Sequence, residues 1–362
     1  MKIELKQVLY PQPKSKIKAS DGKSEGKYKF FTSSPMQTRF IDEANYDKPS
    51  LIFGTGGNAS VHFCDEPFST STDCLVMYGR NKIELESIYN YLKGNISLLE
   101  HGFKGAGLKH ISKDYILAIE IELPSEAMQN EFLQKNRIVD EIIEAKRTQL
   151  LLSEDLVKSR FIELFGTEKE HDKWHCCTVS DVADVCVGVV IKPTQYYTNI
   201  GIPAFRSLNI GEMCVNDADW VYFTEEGHRK NQKSVIRKND VLVVRSGAPG
   251  KACVATEKYA GYNAVDIIIA HPDNNKVNSV FLAAFTNMPH GMKQIRAKIG
   301  GAAQQHFNVG GYKAMHLITP PIELQQAFAA FVEQVDKSKF EIQQSLEKLE
   351  ILKKSLMQQY FG

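Results

Sequence analysis

The chain has 362 residues, of which 43% are hydrophobic and 24% charged, and its net charge is +1. That length suits roughly two or three domains, each able to bury its own core, and a charge so near zero neither favours nor excludes nucleic acid, because acidic helices can offset a local basic face. No stretch approaches the roughly 18 uncharged apolar residues of a membrane helix, and Met1 to Lys6 lacks the apolar core of a signal peptide, so a cytoplasmic protein without a membrane partner is expected.

The first segment carries Lys14, Lys16, Lys18, Lys23, Lys27 and Lys29 among serines and glycines. An apolar run from Leu51 then meets Gly54, Gly56 and Gly57. Such a loop cradles phosphate only when a helix follows and offers its free N–H groups. Here Val61 to Cys64, Pro67 and Cys74 to Met77 follow instead, which predicts a turn between short strands and no cofactor. A helix is expected from Ile83 to Leu92, then a Gly-x-x-x-x-His element from Gly105 to His110. From Pro124 to Gly166 neither proline nor glycine interrupts, which predicts one long helix with proline in its first turn and glycine at its stop.

His171, His175, Cys176, Cys177 and Cys186 lie near one another, but adjacent cysteines do not match the spacing that places two thiolates on one zinc. The seven cysteines are read as free thiols. Arg229, Lys230, Lys233, Arg237 and Lys238 form a second basic run, followed by strands at Val241 to Val244 and Val265 to Ile269 and a helix from Val277 to Thr286. From Pro320 to Gly362 a second uninterrupted helix carries Leu324, Phe328, Phe331, Val335, Ile342, Leu346, Leu349 and Leu356 at spacings of three and four, with a slip expected near Ser338.

The chain repeats itself. At one constant offset Pro124 meets Pro320, Gln129 meets Gln325, Phe132 meets Phe328, Val139-Asp140 meets Val335-Asp336, and Phe165-Gly166 meets Phe361-Gly362. The match runs back to Gly105-Ala106, His110 and Ala118 against Gly301-Ala302, His306 and Ala314. At a slightly smaller offset Gly54, Gly57 and Asp73 meet Gly247, Gly250 and Asp266. Because Pro249 breaks any glycine fingerprint in the second copy, the element seen twice reads as a turn. The fold class expected is α+β: globular units at 1–123 and 167–319, each closed by a long helix, at 124–166 and 320–362, with the two helices forming an antiparallel coiled coil about a pseudo-twofold axis.

Two diverged units, each with a Gly-x-x-x-x-His element and a long helix opening on Pro and Gln, resemble the DNA-specificity subunit of type I restriction-modification systems over the whole chain. That resemblance implies two target recognition domains, each reading one half of a bipartite sequence in double-stranded DNA. It implies helices that set the spacer and dock two DNA adenine methyltransferase subunits, to which motor-nuclease restriction subunits add. S-adenosylmethionine then belongs to the partners, with no cofactor or metal in this chain. Lys14, Lys16, Lys27 and Lys29 in the first unit and Arg229, Lys230, Lys233 and Arg237 in the second are the candidates for phosphate contact, and Arg206 and Lys251 are further DNA-binding candidates. Arg245, Gln304, Gln305, His306 and Asn308 are the candidates for base reading, since Arg forks suit guanine and amides suit adenine. His110 and His306 hold the same place in both copies, which favours a structural role.

An adenine methyltransferase needs an Asn/Asp-Pro-Pro-aromatic element. "TPPIE" at Thr319 to Glu323 lacks both the acceptor and the stacking ring, so the chain is not expected to be an enzyme. The alternative is a coiled-coil scaffold that binds proteins without reading DNA.

Overall fold

A computed structural model describes residues 2–105, 107, 109–299 and 306–361. It divides the chain into two compact units, Met1–Thr148 with Ile342–Gly362, and Gln149–Glu341. Among the described residues no helix is long and apolar enough to cross a membrane.

In the first unit an antiparallel sheet runs in the order Leu9–Pro11, Cys74–Gly79, Ser50–Gly54, Ser60–Cys64. Its central strand alternates. Leu51 and Phe53 pack with Leu85, Ile88 and Leu92 of the helix Lys82–Gly94, while Ile52 packs with Phe31, Tyr46 and Phe68 on the other face. Burial on both faces is why this strand reads as a continuous apolar run and not as an alternating one. The helix starts where Asn81 Oδ1 accepts the backbone N–H of Glu84 at 2.8 Å, satisfying an otherwise unpaired donor. The second layer is a small mixed sheet in which Tyr28–Phe31 pairs antiparallel with Arg39–Ile41 and parallel with Phe68–Thr70. A ribbon of Lys2–Glu4 against Glu120–Glu122 closes the unit.

The second unit is built by the same physics. Its antiparallel sheet runs Ala183–Val187, Ile267–Pro272, Val241–Val244, Ala252–Val254. Val241 and Val243 face Phe281 and Phe285 of the helix Ser279–Asn287, and Leu242 and Val244 face Phe205, Ile236 and Tyr259. Asn278 caps that helix by accepting from Val280 and Phe281. In the mixed sheet Ile202–Phe205 pairs antiparallel with Val221–Phe223 and parallel with Asn263–Ala264, and Cys176–Thr178 forms a ribbon with His316–Ile318.

Two helices of 40 residues, Glu126–Phe165 and Ile322–Phe361, each extend about 60 Å at 1.5 Å per residue. The first stops where Gly166 adopts φ 84° and its N–H reaches Ile162 O at 2.8 Å. Covered positions on the second recur as Gln325, Phe328, Val332, Val335, Lys339, Ile342, Leu346, Leu349, Lys353, Leu356 and Tyr360, alternating three and four without a break. The slip expected near Ser338 is therefore absent. Lys339, partly buried, occupies the stripe there, and its polarity hides the period from a reading based on apolar residues.

Within the first unit the helix segments are antiparallel: Phe132 meets Phe361 edge-on at 5.1 Å, Lys135 Nζ bonds the Tyr360 hydroxyl at 3.0 Å, Lys353 pairs with Asp140, and Arg147 reaches Glu350 at 3.5 Å. Within the second unit they are antiparallel again, with Phe165 and Phe161 against Phe328 at 5.6 and 5.5 Å and Arg160 over the Phe331 ring at 5.6 Å.

Candidate nucleic-acid interface

The glycine-rich stretch of the first unit is a turn between the antiparallel strands Ser50–Gly54 and Ser60–Cys64. Gly57 has φ 80°, a region L-residues avoid, and a Cβ on Gly54 would come within 2.9 Å of Ser33 Cα. Thr55 Oγ1 and Ser33 Oγ donate to Asp73 O at 2.9 and 2.6 Å, and His110 Nδ1 lies 3.1 Å from Thr55 O. The segment carrying Lys16 and Lys18 is tied to the same end of the sheet, because Thr72 N donates to Ile17 O at 2.9 Å. Lys14, Lys16, Lys27 and Lys29 are all exposed; Lys27 lies over the Tyr28 ring at 5.0 Å, and Lys29 pairs with Glu66 at 3.3 Å.

In the second unit the corresponding turn follows Val244. Gly247 has φ 87° and lies beyond the strand end, whereas Gly54 is the last residue of its strand. The sequence pairing of Gly54 with Gly247 is thus corrected: the residue in the place of Gly247 is Gly57. A turn of different length after each central strand displaced that alignment.

Arg245 Nη1 pairs with Asp266 Oδ1 at 2.7 Å, Ser246 Oγ donates to Asp266 Oδ2 at 3.3 Å, and Ser246 Oγ lies 2.8 Å from His306 Nδ1. Phe307 N donates to Arg245 O at 2.9 Å, and Val244 N to Lys251 O at 2.8 Å, so Arg245, Lys251 and His306 meet at one turn. The guanidinium side chain is only 15% exposed. Asp266 holds φ 49°, a left-handed backbone uncommon for a non-glycine residue, which a surrounding network must enforce. Asp266 and Ser246 were missed as partners in the sequence; the match of Asp73 with Asp266 was the available signal.

The remaining candidates are dispersed over this unit. Asn308 Oδ1 accepts from Gly311 N at 2.7 Å and caps the helix Val309–Lys313. The Arg206 guanidinium donates to the Asp219 carbonyl. Arg229, Lys233, Arg237 and Lys251 are exposed, and Lys230, also exposed, pairs with Glu226 at 2.5 Å along the helix Glu225–Lys230. Lys230 and Lys233 line one cleft of about 620 Å³ with Val190, Ile191 and Tyr196. Gln304 and Gln305 lie outside the described residues.

Gln129 and Gln325, matched in sequence, do the same work in each unit. Their Nε2 groups donate to Pro124 O and Pro320 O at 2.9 and 2.8 Å, tying the start of each long helix to the chain before it. Gln325 Oε1 also accepts from Asn278 N at 2.9 Å.

Comparison with known proteins fits this architecture. A family model described as the type I restriction modification DNA specificity domain matches residues 1–152 and 171–353. The S subunit of a type I restriction-modification system from M. genitalium is similar at 15% identity and TM-score 0.60, covering 100% of this chain and 96% of that one. A structure reported for complex assembly and conformational transition of the type I R-M system is similar at 14% identity and TM-score 0.60, covering 99% and 97%. A match over most of the chain's length places it: the chain belongs to the type I restriction-modification DNA specificity family, whose members are non-catalytic DNA-binding subunits.

Proposed function

We propose that each unit reads one half of a bipartite duplex DNA target, and that the long helices form an antiparallel coiled coil which sets the spacer between halves. On this reading 1–123 and 167–319 are the target recognition domains, and 124–166 and 320–362 are the spacer helices. The helices dock two DNA adenine methyltransferase subunits that bring S-adenosylmethionine, and motor-nuclease subunits join them in the cytoplasm.

The observation that carries the reading is a reciprocal contact. Phe132 packs edge-on against Phe361, and Phe328, its sequence counterpart, packs edge-on against Phe165, the counterpart of Phe361. A contact between residue i and the partner of j, answered by one between j and the partner of i, is what a twofold axis generates. The covered positions of the first helix, Gln129, Phe132, Asn136, Val139, Ile143, Lys146, Leu150, Ser153, Val157, Arg160 and Leu164, repeat the three-four alternation of the second at the same offset. Polar members of such a seam fix register and orientation, as Lys353 does with Asp140. The matching strand orders of the two units support two readers of one kind.

A near-dyad in protein suits two half-sites on one side of a duplex. Exposed lysines and arginines neutralise phosphate and position each unit, while Arg245, Asn308, Gln304 and Gln305 read bases. Asp266 holds the Arg245 side chain at the turn. The test exchanges the segment from Arg229 to Asn308 for that of another family member and maps methylated sites with the partner subunits present. One half-site changes if the reading holds; a change in both halves, or in neither, overturns it. Strongly salt-dependent binding to duplex DNA separates this function from that of a scaffold, which releases no counterions.

A further inference from the structure

The second unit holds a polar chain to which the proposed DNA reading assigns no role. Cys186 lies on Ala183–Val187, an edge strand of the sheet, and is partly exposed. In the antiparallel register Asp184 stands opposite His271 and Cys186 opposite Ile269, so thiol and imidazole share one face a diagonal step apart. Cys186 Sγ lies 3.7 Å from His271 Nε2, and His271 Nδ1 lies 2.6 Å from Asp240 Oδ1. The Asp240 side chain is 3% exposed, and its Oδ2 accepts from Arg237 N at 2.6 Å. A carboxylate held from two sides fixes Nδ1–H toward itself and leaves Nε2 facing sulfur.

The hydrogen bond to Asp240, and after it the contact with Cys186, pushes the His271 imidazole up to about 9 against the opposing effect of burial. The ring is therefore cationic near neutral pH. A thiolate, not a thiol, is the nucleophile, and an adjacent imidazolium favours it. Two other groups face the sulfur: the Lys233 carbonyl, which accepts from the thiol at 3.4 Å, and Asp184, two residues along the same strand face. The first is a neutral thiol–carbonyl bond, weak beside a charged contact, and the Asp184 carboxylate is exposed to solvent, which screens it. The fold itself does not demand a titrating trio here. At the like position in the first unit Ser50 stands opposite Tyr78 and accepts from Gln12 Nε2 at 2.9 Å.

We propose that Cys186, backed by His271 and positioned through Asp240, is an activated thiol that undergoes exchange with small-molecule disulfides, making it a modification site on the second unit. Its sulfur attacks one sulfur of the disulfide; the reagent's S–S bond breaks as the new S–S bond forms, and the departing thiolate carries off the electron pair and takes a proton from solvent. The inference is independent of which DNA sequence is read.

The test uses the full chain with 5,5′-dithiobis(2-nitrobenzoate) from pH 6 to 9.5, the modified peptides being resolved by mass spectrometry. Exposed Cys176 and Cys214 serve as internal references. Cys186 in the wild type should react several times faster at pH 6.5 than in His271→Gln, with the gap closing at pH 9.5 as the imidazole loses its proton. Equal rates in a folded variant overturn the proposal. Should the variant lose its circular dichroism signature, the wild type decides alone: a Cys186 rate at pH 6.5 above those of Cys176 and Cys214 upholds the activated thiol, and one at or below theirs refutes it.

Discussion

Phe328→Ala and Phe132→Ala test the reciprocal packing of the helices most sharply. Both rings are fully buried at 0% exposure. Phe328 meets Phe161 at 86° and Phe165 at 74°, while Phe132 meets Phe361 at 87° and Tyr360 at 54°. Truncating a buried phenylalanine costs about 3–5 kcal/mol, a range that already includes the loss of edge-on ring contacts worth about 0.5–1.5 kcal/mol each. For a unit of this size about 4 kcal/mol corresponds to a fall in Tm of roughly 8–16 °C. Hydrogen exchange read by mass spectrometry assigns each loss to its unit. Phe328→Ala should loosen peptides within Gln149–Glu341, and Phe132→Ala those within Met1–Thr148 and Ile342–Gly362. A fall of less than about 2 °C for either, or costs differing by more than about 2 kcal/mol, would refute the idea that the two rings occupy symmetry-related environments.

Other expectations concern the surface and pH. Arg245→Ala should relax one position in one half-site, the loss of discrimination being about 1–3 kcal/mol, and leave the other half unchanged when methylated sites are sequenced. Lys230→Ala with Lys233→Ala should weaken binding to all duplexes alike and reduce the slope of log K against log salt by up to about 2, measured by fluorescence anisotropy; an unchanged slope removes both from the interface. The folded pKa of His271, about 9, lies above its ordinary value near 6.5. Its pairing with Asp240 therefore contributes stability that is complete below about pH 6.5 and fades as pH rises through about 9. In urea titrations His271→Gln should flatten the pH dependence of the second unit across that window, and an unaltered dependence would show the pair to be neutral.

The long helices were legible because a period of three and four survives in any composition that keeps apolar residues on the stripe. In the second helix it faltered near Lys339, a partly buried residue whose charge breaks the apolar period. Matching Gln129 with Gln325 pointed to a shared role, but nothing local says that each amide ties down the proline carbonyl five positions earlier. The turn after each central strand was recognisable, yet its differing length displaced the glycine pairing by three residues, from Gly57 to Gly54. Arg245 with Asp266, and Cys186 with His271 and Asp240, join residues far apart in the chain. Only strand register brings them together, and register is invisible until the sheet order is known. Placement of the basic candidates was the weakest inference from sequence. A charge run marks a solvated surface, and only the folded sheet ends decide that Lys16 flanks the first turn and that Lys251 adjoins Arg245.

The most direct measurement is a map of methylated bases in cells carrying this chain with the methyltransferase subunits proposed to dock on it. The account predicts one motif of two short specified halves separated by unspecified bases, with the spacer lengthening when whole helical turns are inserted at matching places in both long helices. A continuous motif without a spacer, or a spacer indifferent to helix length, would contradict it.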